Sequence, residues 1–336
     1  SSANQAFSMY PGLSGAALGA LWATGEDWMR EHVATRMADG DWAGTMCLTE
    51  PHCGTDLKLM KTRAVKQDDG TYRLSGTKIF ISGGDQDMTE NIIHMVIAKL
   101  PNEEGKYVDD LSTVNFFMVP KMLVDPATGE ITGRNGVSTG AVEKKMGIKG
   151  NATCVLNFDN AVAYHLKGRA PEKKADDGKV VKSKSAGMAG MFGMMNGARM
   201  GVGIQGIAAG EVAYQNGVAY AQERLAGRAL TGAKNPSGPA DPILVFPDVR
   251  RLLIASRSFV EGARALAMYV SFLFSVARSS ADEAERQEAE DLSQLFTPVI
   301  KAYFTDKGFE AANASMQVFG GHGYIRDNGM EQFVRD

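Results

Sequence analysis

The apolar residues of this chain change their period twice, and that switch constrains the fold more than any other feature. From Ser14 to about Met37, Leu18, Leu21, Trp22, Trp28, Met29 and Val33 recur at helical spacing before Gly40 closes the segment. From Thr45 to Phe158 the runs shorten and the period drops to two. Lys61–Lys66 and Thr71–Ser75 flank Asp68-Asp69-Gly70 as the arms of a hairpin would. Lys78–Ser82, Ile92–Lys99, Val114–Val119 and Thr153–Phe158 follow between Gly, Pro and Asn turns, and Ile92-Ile93 with Val96-Ile97-Ala98 predicts a strand buried on both faces. This zone predicts an all-β barrel or sandwich. From Ala186 the helical period returns. Met188 to Leu225 is long and rich in small residues. Pro247 to about Ser279 carries Val249, Leu252, Leu253, Phe259, Leu266 and Phe272, with Pro247 suited to a first helical position. Ser280 to Glu283 reads as a capping box opening a third helix that continues to Pro298. Long helices with short links predict an antiparallel bundle.

The fold class is therefore α+β and multidomain. The predicted parts are the remainder of an N-terminal helical domain at 1–43, a central β domain at 44–165, a surface loop at 166–185 and a C-terminal helical bundle at 186–336. A chain of 336 residues with 44% hydrophobic and 22% charged side chains is ordinary globular material. The net charge of −3 argues against a generally basic nucleic-acid surface. Cys47, Cys53 and Cys154 are odd in number without a C-x-x-C pair, which predicts a reduced, cytoplasmic protein. No run of 18 apolar residues and no signal-like N-terminus occurs, so no membrane span is expected. The chain starts without Met and stops on Arg335-Asp336, and trimmed ends are expected. Lys167 to Ser185 carries seven basic against three acidic side chains; it reads as a solvated insertion, with a phosphate-attracting loop as the alternative.

Three features invite chemistry that their context denies. Gly201-Val202-Gly203-Ile204-Gln205-Gly206 matches the dinucleotide fingerprint, but the residues before it continue a helix where a strand is required. Glycines at 193, 197, 201, 206 and 210 predict close approach of a neighbouring helix instead. The five histidines show no metal spacing, and His52-Cys53 lacks an orienting acid for nucleophilic work. The methionines clustered between Met188 and Met200 read as adaptable core filler, or as a pliable apolar wall for a greasy ligand.

Two loops remain. Met46-Cys47-Leu48-Thr49-Glu50-Pro51-His52-Cys53-Gly54-Thr55-Asp56 is a strand running into a hydroxyl-bearing turn. Gly76-Thr77-Lys78-Ile79-Phe80-Ile81-Ser82-Gly83-Gly84 is a strand with an aromatic, ending in Ser-Gly-Gly. Backbone N–H groups and hydroxyls at strand ends, beside apolar side chains, suit a large planar heterocycle with a polar edge and a phosphate tail. With Lys145-Met146-Gly147-Ile148, Ala198-Arg199, Glu223-Arg224, Gln317-Val318-Phe319-Gly320-Gly321-His322-Gly323-Tyr324 and Met330 to Asp336, the chain resembles the acyl-CoA dehydrogenase family. Glu50 to Thr55 and Arg224-Leu225-Ala226-Gly227-Arg228 are most similar to its 3-methylmercaptopropionyl-CoA dehydrogenase branch.

The resemblance implies a helical domain, a β domain and a four-helix bundle, FAD as cofactor, an acyl-CoA substrate, electron-transfer flavoprotein as partner and a homodimer or homotetramer. By position, Met46, Leu48 and Thr49 would line the pyrimidine end of the flavin, and Thr55 would meet its phosphate and the pantetheine. Phe80 would lie against the ring and Ser82 would donate near N5. Arg224, Gln317 and Gly321 would reach the pyrophosphate and adenosine across a subunit interface, and Arg199 the CoA chain. The implied reaction is α,β-desaturation by α-proton abstraction and β-hydride transfer, with donors stabilising the enolate-like oxygen and a buried carboxylate as base. No base can be named: the family's Glu is expected just beyond Asp336, and Ala198 occupies the alternative position on the bundle helix. An acyl-CoA oxidase using O2, or a DNA-associated flavoprotein of the same fold, are the alternatives. No metal is expected.

Overall fold

The apolar run at 91–99 yields a strand covered on both faces, whereas the segments 63–66 and 137–142 are largely exposed. The computed structural model describes residues 4–167 and 186–336; apart from Lys167, the basic stretch to Ser185 lies outside the described residues. The strands are β1 (Trp42–Cys47), β2 (Arg63–Lys66), β3 (Tyr72–Ser82), β4 (Asn91–Lys99), β5 (Val114–Pro120), β6 (Met122–Val124), β7 (Ile131–Arg134), β8 (Val137–Val142) and β9 (Thr153–His165). β4 is buried at every position and is the pivot. It pairs parallel with β1, antiparallel with β5, and through Lys99 with Arg63 of β2. β2 pairs with β3, β3 with β9 and β9 with β5, so these strands close on themselves as a barrel, with β1 added beside β4. β8 adds to β9, and β6 with β7 forms a separate hairpin.

Inward residues of the ring, among them Leu74, Val96, Phe117, Leu156 and Phe158, make one core. The alternate residues Ile93, Met95, Ile97, Phe116 and Met118 face the other way and pack with Ala17, Leu21, Met29, Val33 and Met37. These come from α1 (Gln5–Thr24), a π-helical turn (Met29–Ala34) and α2 (Thr35–Asp39). The continuous helix expected to Met37 is thus broken. Gly25 ends α1, and the Arg30 Nε donates to Trp22 O at 3.0 Å, satisfying a terminal carbonyl. Thr71–Ser75 and Lys78–Ser82, expected as two strands, are one irregular strand, β3.

The chain divides into two compact units: Ala6–Lys145 with Lys149–Ala198, and Gln5 and Met146–Ile148 with Arg199–Asp336. The helices are α3 (Ala186–Glu223), α4 (Pro247–Ser279), α5 (Glu283–Val318) and the short α6 (Met330–Arg335). Met191 and Met194, at the start of α3, join the core of the β unit as filler. Of the glycines of α3 expected to form a packing seam, Gly193, Gly197 and Gly201 have open space around them, whereas Gly206 and Gly210 pack closely: a Cβ on Gly206 would strike Phe304 O, one on Gly210 would press on Ala311, and one on Gly308 would strike Gly206 O. The fingerprint-like segment is therefore helix. α4 opens with Pro247 in its first turn. By length and composition it could cross a bilayer, yet Val260, Ala263, Ala267 and Val270 are buried with Met200, Ile207, Ile300 and Phe304.

Two helix boundaries differ from expectation. The N-cap of α5 is Asp282, whose carboxylate accepts from Ala284 N at 2.8 Å and Glu285 N at 3.3 Å, while Ser280 contacts the Glu285 side chain. A carboxylate at the cap also favours the positive end of the helix dipole. α5 then runs through Pro298 to Val318. An interior proline costs about 3 kcal/mol, which burial of Thr297, Ile300, Phe304, Ala311, Ala312 and Met316 along the same helix offsets.

Candidate functional site

The two loops singled out in the sequence are neighbours in the barrel unit. Beyond Cys47 the chain runs beside β3, and Ile79 N donates to Thr49 O at 2.9 Å. Beneath that contact lies Lys78, with no exposed surface. Its Nζ donates to Leu48 O at 2.8 Å and to Glu50 Oε1 at 2.9 Å. Glu50, 3% exposed, also accepts from Lys61 N at 2.7 Å and Thr62 N at 3.1 Å. Burial pushes the Glu50 carboxyl up, but the Lys78 charge and the hydrogen bonds from Thr62, Lys61 and Lys78 outweigh it, leaving the carboxyl below its usual range. Burial draws the Lys78 ammonium down against the opposing pull of Glu50. No sequence reading assigned roles to this pair; the signal was the charged residues inside otherwise apolar strand ends.

Phe80 has φ 60 and is 61% exposed. A left-handed conformation costs a non-glycine residue about 1–2 kcal/mol, and such strain concentrates at binding and catalytic sites. Ser82, half-buried, ends β3 opposite Thr153. Next to it Gly83 N donates to Asn151 Oδ1 at 3.0 Å, while the buried Asn151 Nδ2 has no hydrogen-bond partner. Asn151 was not anticipated from the sequence. Met46 and Leu48 are half-buried against the helix-facing core, Thr49 is half-buried, and Thr55 is exposed on the following turn.

That turn also disposes of His52-Cys53 as a reactive pair. Glu50 N donates to Cys53 O at 2.8 Å and Cys53 N to Glu50 O at 3.1 Å, closing a tight loop. Burial and the nearby Glu50 charge raise the Cys53 thiol, which makes it a poor nucleophile. The His52 Nε2 lies 3.0 Å from Leu59 O. Glu50, His52 and Cys53 offer ligand atoms within 4.8 Å of one another. However, the Glu50 oxygens already serve Lys78, Lys61 and Thr62, and a cation would sit against an ammonium. The cluster is an anchor.

In the helical unit, Arg224 and Gly321 line one open cleft of ≈ 610 Å3 with Tyr220, Ile243, Phe319, Gly320 and His322. Gly320 has φ 57, a conformation that lets the chain turn sharply after α5. Tyr220 stacks on Phe319 at 4.1 Å between ring centroids, and its hydroxyl lies 3.0 Å from His322 Nδ1. Gln317 is exposed next to this turn and accepts from Tyr324 Oη at 3.0 Å. Arg199 stands apart, half-buried on α3, roughly 37 Å along the chain's helical rise from Arg224 at about 1.5 Å per residue. Ala198 beside it has no titratable group. Ile148 N donates to Asp336 Oδ1 at 2.7 Å, joining two of the motifs named above.

Family comparison decides the assignment. The acyl-CoA dehydrogenase middle-domain model matches residues 45–161 and the C-terminal-domain model matches residues 185–336. The chain belongs to the acyl-CoA dehydrogenase family. Among relatives of this acyl-CoA dehydrogenase family chain, the 3-methylmercaptopropionyl-CoA dehydrogenase of Ruegeria pomeroyi is 37% identical over 335 residues, covering 100% of this chain and 53% of that protein. The broad-specificity linear acyl-CoA dehydrogenase FadE5 of Mycobacterium tuberculosis is 36% identical, covering 99% and 52%. The chain thus spans about half the length of the curated relatives it matches. Caenorhabditis elegans ACDH-11 in complex with C11-CoA superposes with a TM-score of 0.76 at 20% identity, covering 98% of this chain and 50% of that one. Butyryl-CoA dehydrogenase from Megasphaera elsdenii gives 0.73 at 22%, covering 99% and 72%. These structures establish the acyl-CoA dehydrogenase fold.

Acyl-CoA dehydrogenase family members use FAD. The residues present fit such a group on two counts. The barrel unit offers a strained, open aromatic face with an unpartnered buried amide donor near its strand end. The helical unit offers a cationic cleft with glycine backbone at its rim.

Proposed function

We propose that this chain holds FAD and serves α,β-desaturation of an acyl-CoA thioester, with 3-methylmercaptopropionyl-CoA as substrate and electron-transfer flavoprotein as electron acceptor. One observation carries the reading: the two loop motifs, distant in sequence, are hydrogen-bonded to each other beside an exposed, strained Phe80. Leu48, Thr49 and Met46 would meet the polar edge of the ring, Phe80 its face and Ser82 the reacting side. Arg224, Gln317 and the Gly321 backbone would take the pyrophosphate and adenosine of a flavin held by a partner subunit, for which a guanidinium and open N–H groups are suited. Thr55 and Arg199 would contact the CoA part of the substrate. When bound, the flavin supplies the two-electron oxidation. The α-proton goes to a carboxylate, which many family members carry shortly after the motif matched by Arg335-Asp336; Ala198 cannot serve. Low-dielectric surroundings would raise the pKa of such a base toward the operating pH.

Anaerobic spectroscopy tests this. The purified product of the full reading frame, titrated with FAD, should turn yellow and bleach on addition of 3-methylmercaptopropionyl-CoA, with Ser82→Ala bleaching more slowly. Folded protein that retains no flavin refutes the reading. Rapid recolouring in air alone, without electron-transfer flavoprotein, would reassign the electron acceptor to O2.

A further inference from the structure

Resting on that reading of the strand tips, we infer that Glu50 and Lys78 are positioning residues, a buried ion pair that sets the register of the two ring-binding segments. Burying both charges is expensive, and an apolar pair of similar size would often be as stable. What the pair supplies is reach. Through Lys78 Nζ and the Glu50 carboxylate it joins three backbone segments, at Leu48, at Lys61 and Thr62, and at β3 itself. The next residue, Ile79, donates to Thr49 O.

The register of β3 shows why this matters for Phe80. Lys78 lies opposite Leu156 and Ile81 opposite Cys154, so Ile79 and Phe80 together face the single residue Val155. That is a β-bulge, which turns a side chain away from its strict alternation. Ile81 is buried in the barrel core and fixes one end of the bulge; Lys78 and Glu50 fix the other. Between the two pins, Phe80 is held at φ 60 with its ring outward. The same pin holds Leu48 O, one residue before Thr49. The pair thus governs both surfaces that would touch the ring while touching neither ligand nor solvent.

The test compares wild type, Lys78→Met and the charge-free Lys78→Met/Glu50→Gln double variant. Lys78→Met strands a buried carboxylate and should be the least stable; the double variant should regain most of the lost stability. Amide exchange without flavin is the decisive readout. In the double variant, protection of the Ile79 N–H should fall about tenfold or more, the worth of a backbone hydrogen bond, while Val96 and Ile97 in β4 keep theirs. FAD affinity should fall by about tenfold in parallel. Wild-type protection at Ile79 with wild-type affinity in the double variant overturns the inference. If neither variant folds, the pair is a stability element and the positioning role is withdrawn. If wild type itself holds no FAD, the flavin reading falls, and the exchange data still decide the pair.

Discussion

His94 sits in the middle of β4 without exposed surface, its Nδ1 2.8 Å from Thr45 Oγ1 and its Nε2 without a partner. A second proton on this ring would have no solvent and no acceptor. Burial holds the pKa down to about 3, from an ordinary 6.5. The unfolded chain therefore binds a proton between these values that the folded chain does not. Stability rises with pH wherever the unfolded state holds more protons, so it is lost as pH falls from 6.5 toward 3. Over that window His94 alone accounts for about 5 kcal/mol, comparable to the whole stability of many domains. His165, drawn to about 4 by burial and by the Lys167 charge, adds in the same direction. The assay is the urea midpoint at pH 6 and pH 5, above the range where most carboxylates titrate. The two histidines together should cost about 2.4 kcal/mol across that unit. His94→Asn should cost stability at every pH but halve the slope, to about 1.2 kcal/mol. Equal slopes in wild type and variant would refute the argument.

Three further outcomes follow from the same geometry. Gly206→Ala places a methyl against Phe304 O and should lower stability by about 1–3 kcal/mol, whereas Gly197→Ala, with nothing near its Cβ, should raise the melting temperature. Arg224→Gln, on an exposed side chain, should weaken FAD binding by at least about tenfold and leave the urea midpoint unchanged. Asp241 accepts from Ala229 N, Asn235 N and Lys234 N and from Arg228; these bonds, the Ala229 one foremost, hold its pKa at about 2. Asp241→Asn should be less stable at neutral pH, with the gap to wild type closing as pH falls below 4 toward 2.

Much of this protein could be read without coordinates because its information is local. Short apolar runs at 92–99 and 114–119 announce strands, and the helical stripe of 247–279 announces a helix, since each depends only on the local order of side chains. The two loop motifs were legible as residue types suited to a planar heterocycle with a phosphate tail, and the family comparison supports the resemblance drawn from them. Close helix approach at Gly206 and Gly210 was also legible, because no strand precedes them, whereas Gly193, Gly197 and Gly201 share the spacing and meet no neighbour.

Other features arise only when distant segments meet. The end of α5 could not be placed from Pro298, since the burial that carries the helix through it comes from α3 and α4. Asp282 displaces Ser280 as cap because α4 runs on to Ser279 and Ser280 closes it, leaving Asp282 as the residue that reaches Ala284 N. Glu50 and Lys78 are 28 positions apart, and only barrel closure turns two ordinary charges into one buried pair. Periodicity and motif chemistry act over a few residues, whereas desolvation and register depend on what lies across the fold. For that reason the chain's own letters determined its elements and its family, and the tertiary structure decided the bulge at Phe80 and the pin beneath it.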